Sequence, residues 1–83
     1  MSAARSSDRT DSADGAFTIT PSDSDDLSRV PIALNVATSG TVRFIGTDGT
    51  ISDVFIVAGI VFPLRVRRVF QTGTTAGGIR GLV

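Results

Sequence analysis

The sequence predicts an all-β fold: a small antiparallel β-sandwich or barrel of about six short strands, preceded by a flexible N-terminal arm. Three observations carry that expectation. Nine Val, seven Ile, ten Thr and five Phe make up more than a third of the 83 residues, while the strong helix formers Glu and Lys do not occur. From Ala16 onward the apolar residues recur with a period of two. Short polar turns punctuate the pattern, and Asp48-Gly49 joins two β-rich runs as a hairpin loop would.

The chain divides into an arm over residues 1–14 and a single β domain over residues 15–83. The opening MSAARSSDRTDSADG has no apolar residue larger than Ala after Met1, so it cannot offset the entropy of ordering by itself. It lacks the apolar run of a secretory signal, and no segment reaches the length of a membrane span, which points to a chain made as a soluble protein. An 8.6 kDa chain folds to about 4,700 Å² of surface from roughly 12,500 Å², a burial near the lower limit for unaided folding. With no Cys and no His there is neither a disulfide nor the usual zinc site to brace so thin a core. Association with further copies is the remaining common route.

In AFTIT, Phe17 and Ile19 face one way and Thr18 and Thr20 the other, a half-buried strand ended by Pro21. PSDSDDLS then reads as a turn whose Ser and Asp side chains bond local amides, with Ser24 or Asp25 placed to cap one helical turn before Leu27. In VPIALNVAT, Val30, Ile32, Leu34 and Val36 alternate with Pro31, Ala33 and Asn35. Pro31 cannot donate to a ladder, so this strand lies at an edge or starts pairing after it. Ser39-Gly40 makes the next turn.

The hairpin that follows is expected to have Asp48 and Gly49 as a two-residue type I′ loop. That register sets Ile45 opposite Ser52, Phe44 opposite Asp53 and Arg43 opposite Val54. One face then holds Val42, Phe44, Ile51, Asp53 and Phe55; the other holds Arg43, Ile45, Ser52, Val54 and Ile56. A hairpin apolar on both faces needs cover on both. Packing between copies is the preferred source of that cover, and an intramolecular sandwich is the alternative.

Gly59 and Pro63 bracket a short apolar stretch. Beyond it Leu64, Val66, Arg68 and Phe70 alternate with Arg65, Arg67 and Val69, and TGTTAGG leads to a last strand, IRGLV. Because Arg67 and Arg68 are adjacent, a regular strand turns one of them inward, and leaving a buried guanidinium unpaired costs ~3–5 kcal/mol. Its partner is expected to be Asp53, the acidic turn or another subunit.

Charge is segregated. Residues 1–26 carry six Asp and two Arg, a balance of minus four, and residues 27–83 carry six Arg and two Asp, a balance of plus four. The two parts attract each other or another copy. For catalysis the kit is poor: His, Glu, Lys, Tyr and Cys are missing, Asp alone could act as base, and the chain reads as a non-enzyme. The acidic turn lacks the spacing, the Gly and the closing Glu of an EF-hand, and no metal or other cofactor is expected. The Gly-Thr loop has neither the Lys nor the spacing of a phosphate-binding loop. A small β-barrel nucleic-acid binder would use the arginine strand, but zero net charge and the absence of Tyr and Trp argue for protein contacts instead.

The stretches SADGAFTITPSDSDDL, ALNV, AGIVFPLRVRRVF and TGTTAGGIRGLV, in this order and spacing, resemble the small spike base proteins of tailed phages and gene transfer agents. The similarity runs from about Ser12 to Val83 and is most specific at Thr20-Pro21-Ser22-Asp23, at Pro63-Leu64-Arg65-Val66 and at Thr72-Gly73-Thr74-Thr75-Ala76. Where many members have an aromatic residue after the position of Leu82, this chain has Val83. The resemblance implies a virion protein on the outer capsid surface, made in the bacterial host cytoplasm. It also implies a homo-oligomeric ring, a pentamer at the fivefold vertex being favoured, bound to the major capsid protein and supporting a spike or fibre for host attachment. The alternative within that setting is a cement protein at threefold positions. No catalytic or ligand residue comes with the family. The expected subunit or capsid contacts are Arg65, Arg67 and Arg68 from the arginine strand and Asp23, Asp25 and Asp26 from the acidic turn.

Overall fold

The computed structural model describes residues 13–83 and contains six strands and no helix among them. They are β1 (Ala16–Thr18), β2 (Ala33–Asn35), β3 (Gly40–Gly46), β4 (Ile51–Ile56), β5 (Val66–Val69) and β6 (Arg80–Leu82). Two three-stranded antiparallel sheets form, ordered β1-β6-β2 and β4-β3-β5. The expected arm falls on residues 1–14, of which 1–12 lie outside the described residues. Asp14 and Gly15 both donate their amides to the Val83 carbonyl, so the first strand is tied to the last from that point on.

The sheets share one core. Leu34 of the first and the flanking Ile19 and Ile79, just past β1 and just before β6, meet Val42, Phe44, Ile56, Val66 and Val69 from the second, with Val36 beside them. The alternation in AFTIT is realised: Ile19 is buried, Phe17 half-buried, and Thr18 and Thr20 exposed. Phe17 lies across β6 at Gly81, where a Cβ would stand 2.7 Å from the ring. A side chain in the middle of that sheet would displace the aromatic.

Several expectations are corrected. The period in VPIALNVAT holds only over Leu34, Asn35 and Val36: Leu34 and Val36 are fully buried, whereas Val30 is exposed, Ile32 is half-buried, and Pro31 and Ala33 are buried. Pairing starts after the proline, with the Ile32 amide on the Leu82 carbonyl. Gly40 opens β3 rather than sitting in a turn, since a Cβ there would come within 2.6 Å of the Ala76 nitrogen. No helical turn precedes Leu27; the Ser22 hydroxyl takes the amides of Ser24 and Asp25.

The hairpin register is displaced by one residue from the expected one. Arg43 stands opposite Asp53, Phe44 opposite Ser52 and Ile45 opposite Ile51. The loop therefore has three residues, Thr47 to Gly49, with the Gly46 amide bonded to the Thr50 carbonyl and the Gly49 amide to the Gly46 carbonyl. A type I′ turn needs positive φ at both central residues, and here Gly49 has it (88°) while Asp48 does not. A turn followed by a left-handed glycine is the three-residue alternative. The faces change with the register: Val42, Phe44, Val54 and Ile56 point into the core, and Arg43, Ile45, Ile51, Asp53 and Phe55 lie on the other face, where Ile45 is buried all the same. The chain thus covers one face with its own second sheet, and the outer face keeps Ile51 and Phe55 exposed.

Candidate interaction surface

The expected contact residues converge on β5 and the acidic segment beside it. On β5 the pairing shifts between Ile45 and Gly46: Arg68 opposes Ile45, Val66 opposes Gly46, and Arg67 is the extra residue of a β-bulge. The bulge removes the parity conflict that two adjacent arginines pose. Val66 and Val69 both reach the core at 0% and 1% exposure, and neither guanidinium is buried.

Residues 22–27 run along the free side of β5, where the Ser22 amide bonds the Val69 carbonyl and the Leu27 amide bonds the Arg67 carbonyl. That alignment brings Asp26 to both arginines. Arg68 Nε lies 2.8 Å from one carboxylate oxygen and Arg67 Nε 3.5 Å from the other. Arg68 also reaches the Asp23 carbonyl at 3.3 Å and stands 5.8 Å from the centre of the Phe70 ring. The acidic turn, one of the partners the sequence offered, is thus the intramolecular one for Arg67 and Arg68.

Asp23 does a different job. Its carboxylate accepts the amides of Gln71 and Thr72 and the Thr72 hydroxyl, at 3.0, 2.9 and 2.7 Å. Donation from Thr72, backbone first and hydroxyl second, holds its pKa below the ordinary aspartate value. Asp23 therefore fastens the acidic turn to the start of the Gly-Thr loop. Asp25 is exposed and has no side-chain partner among the described residues. Arg65 likewise has no ion pair; it borders a shallow cleft of about 330 Å³ floored by Phe44 and Leu64 and edged by Asp48 and Thr50. Among the described residues no three acidic, His or Cys side chains are grouped to hold a metal ion.

Sequence reasoning missed a second set of contacts on the neighbouring strands. Arg43 Nε bonds Asp53 Oδ1 at 2.9 Å on the outer face, and this hydrogen bond lowers the Asp53 pKa while raising that of Arg43. Beside it, Thr74 and Thr75 offer their hydroxyls to the amides of Arg43 and Thr41, continuing the sheet through side chains. The adjacent Thr-Thr pair in the loop was the available signal for these. Among the described residues three of the six arginines in residues 27–83 are thus in ion pairs, which weakens the case for a basic face that tracks nucleic acid. Exposed apolar side chains gather instead on β4 and the loop after it: Ile51, Phe55, Val57, Ile60 and Val61.

No family model and no curated protein matches the chain. Among solved structures it is similar to a chain in the capsid of the native GTA (gene transfer agent) particle computed with C5 symmetry. The two are 42% identical, superpose with a TM-score of 0.79, and match over 87% of this chain and 84% of the other. At that identity and coverage, the protein belongs to the family of this gene transfer agent capsid chain.

Proposed function

We propose that this virion structural protein is the base of a head spike, seated on the outside of the capsid at a fivefold vertex and supporting a spike or fibre that meets the host surface. The observation that carries the reading is the 42% identity, over 87% of the chain, to a protein of a gene transfer agent capsid that was reconstructed with fivefold symmetry. A ring of five copies is the assembly that suits that axis. The chemistry is that of assembly and not of catalysis. The major capsid protein and the spike or fibre protein are the other partners, and Arg65, Arg67, Arg68, Asp23, Asp25 and Asp26 supply charged contacts. Among the described residues Arg65 and Asp25 carry no ion pair, and the 3.5 Å pair of Arg67 leaves that guanidinium half-exposed for a second carboxylate.

Imaging purified particles with and without the gene for this chain tests the reading. Density for five copies at each vertex, lost in the deletion together with the spike, is the expected result. Density at local threefold positions without a spike would identify a cement protein. Absence from particles, with salt-sensitive binding to DNA, would identify a nucleic-acid binder.

A further inference from the structure

A β protein meets other chains most readily at its sheet edges, where unpaired strands offer rows of free amides and carbonyls. Each of the two sheets has two edges, and within each sheet one is covered internally. Residues 59–62 bond along β2, through the Leu34–Phe62 pair and the Gly59 amide on Val36, and residues 22–27 bond along β5. The outer edges of β4 and β1 have no hydrogen-bonded neighbour among the described residues.

The register fixes which groups those edges present. The Gly46 amide bonds the Thr50 carbonyl, so Thr50, Ser52, Val54 and Ile56 turn their backbone groups toward β3, and Ile51, Asp53 and Phe55 turn theirs outward. On β1, Gly15 and Ile19 bond to Val83 and Ile79, which leaves Ala16, Thr18 and Thr20 facing out. β1 is shielded only by its shortness, three residues, and the β4 edge is barely protected. β4 has no Pro, Lys or bulge, its one charge is paired with Arg43, and its Ile51 and Phe55 are 59% and 63% exposed.

We propose that the β4 edge of one copy pairs antiparallel with the β1 edge of the next, with Phe55 opposite Ala16, Asp53 opposite Thr18 and Ile51 opposite Thr20. Three outward residues meet three. Parity is kept, since all six side chains lie on the outer faces, and Val54 and Ile56 continue the core side formed by Phe17 and Ile19 in the neighbour. Charge fits as well. Arg80 is the cross-strand partner of Thr18, and among the described residues its guanidinium has only the neutral Thr18 hydroxyl, at 3.0 Å. Pairing brings it within one strand of Asp53. A symmetric β4–β4 contact centred on Asp53 would instead set two carboxylates opposite each other. Joining two different edges is a head-to-tail contact, which builds a ring when the rotation between copies closes, where a symmetric one stops at two. The inference rests on the ring in the reading above and locates its joint.

The chain has no Cys, so introduced thiols report directly. A hydrogen-bonded cross-strand pair has a Cα separation of about 5.5 Å, within disulfide range. The full chain with Ala16→Cys and Phe55→Cys together, oxidised on particles, is expected to run as a non-reducing ladder up to the full ring. An equal mixture of the two single variants should stop at a dimer. Cross-linking of Phe55→Cys to itself would overturn the proposal in favour of a symmetric edge. No cross-linking in copies seated as rings would overturn the joint and leave the spike-base reading standing, whereas absence of the wild-type chain from particles removes both. As a second variant, Phe55→Pro removes an outward amide together with the exposed phenyl ring and leaves the β3 ladder intact. It is expected to keep the β circular-dichroism spectrum and lose the ring; a persisting ring would count against the β4 edge.

Discussion

Arg68 Nε lies 2.8 Å from Asp26 Oδ1, joining the basic strand to the acidic turn of the same molecule across 42 positions of sequence. The same carboxylate faces Arg67 at 3.5 Å. The charge segregation visible along the chain is therefore partly closed within it.

Asp26→Ala should lower stability by about 1 kcal/mol, because both pairs are solvent-exposed and such pairs contribute about 0.2–1 kcal/mol each. Urea unfolding at low salt and at 1 M salt measures this, and the gap between variant and wild type should narrow as salt screens the pairs. An equal gap at both salt concentrations would assign the loss to packing.

Arg67→Ala with Arg68→Ala should leave the β spectrum in place and reduce occupancy on purified particles. Val66 and Val69, not the arginines, hold β5 to the core. Quantifying the chain per capsid by gel densitometry decides the matter, and wild-type occupancy would remove these residues from the contact.

Stability should fall as the solution is acidified below about pH 4. Asp23, Asp48 and Asp53 all have folded-state pKa values held below normal: Asp23 and Asp48 mainly by backbone amides, Asp53 mainly by the Arg43 guanidinium. A lowered folded pKa contributes stability above the unfolded pKa, and that contribution is lost as pH falls through the folded value. Melting temperatures from pH 7 to pH 2 should show a shallower acid limb for Asp23→Asn than for wild type, since the amide cannot titrate.

Gly81→Ala should destabilise by about 1–3 kcal/mol, the usual cost of overpacking. The new methyl would stand 2.7 Å from two ring carbons of Phe17 and 3.1 Å from the Pro31 Cβ. Thermal melts compared with Gly77→Ala, where the nearest atoms are 3.4 Å away, separate this collision from the general effect of losing a glycine.

Leu34→Ala should cost about 2–5 kcal/mol, a large share of what so small a domain can hold. Leu34 is fully buried and bonds through its backbone to Phe62, so the cavity would open where β2 meets its covering segment. Denaturant titration gives the value; a loss below about 1 kcal/mol would mean that the site collapses freely.

What the sequence disclosed and what it hid divide along a physical line. Alternation identifies strands from one segment alone, so Phe17 with Ile19 and Leu34 with Val36 pointed to the core directly. Register and bulges belong to pairs of segments. Asp48-Gly49 suits both a two-residue and a three-residue loop, and only the φ of Asp48, which no residue type fixes, distinguishes them. That single step moved Asp53 from opposite Phe44 to opposite Arg43. The bulge at Arg67 exists because β3 lies opposite it, so strict alternation sent one arginine inward when neither goes there. The charged contact residues were legible as types; their division into paired and unpaired members depended on the path of residues 22–27.

The loop from Thr47 to Thr50 stands exposed at the tip of the β3–β4 hairpin, with empty space within 4 Å of where a Gly49 side chain would begin. Foreign peptide grafted between Asp48 and Gly49 would project into solvent without disturbing the sandwich. Within a capsid the same graft would recur once per copy, turning this subunit into a scaffold for multivalent presentation.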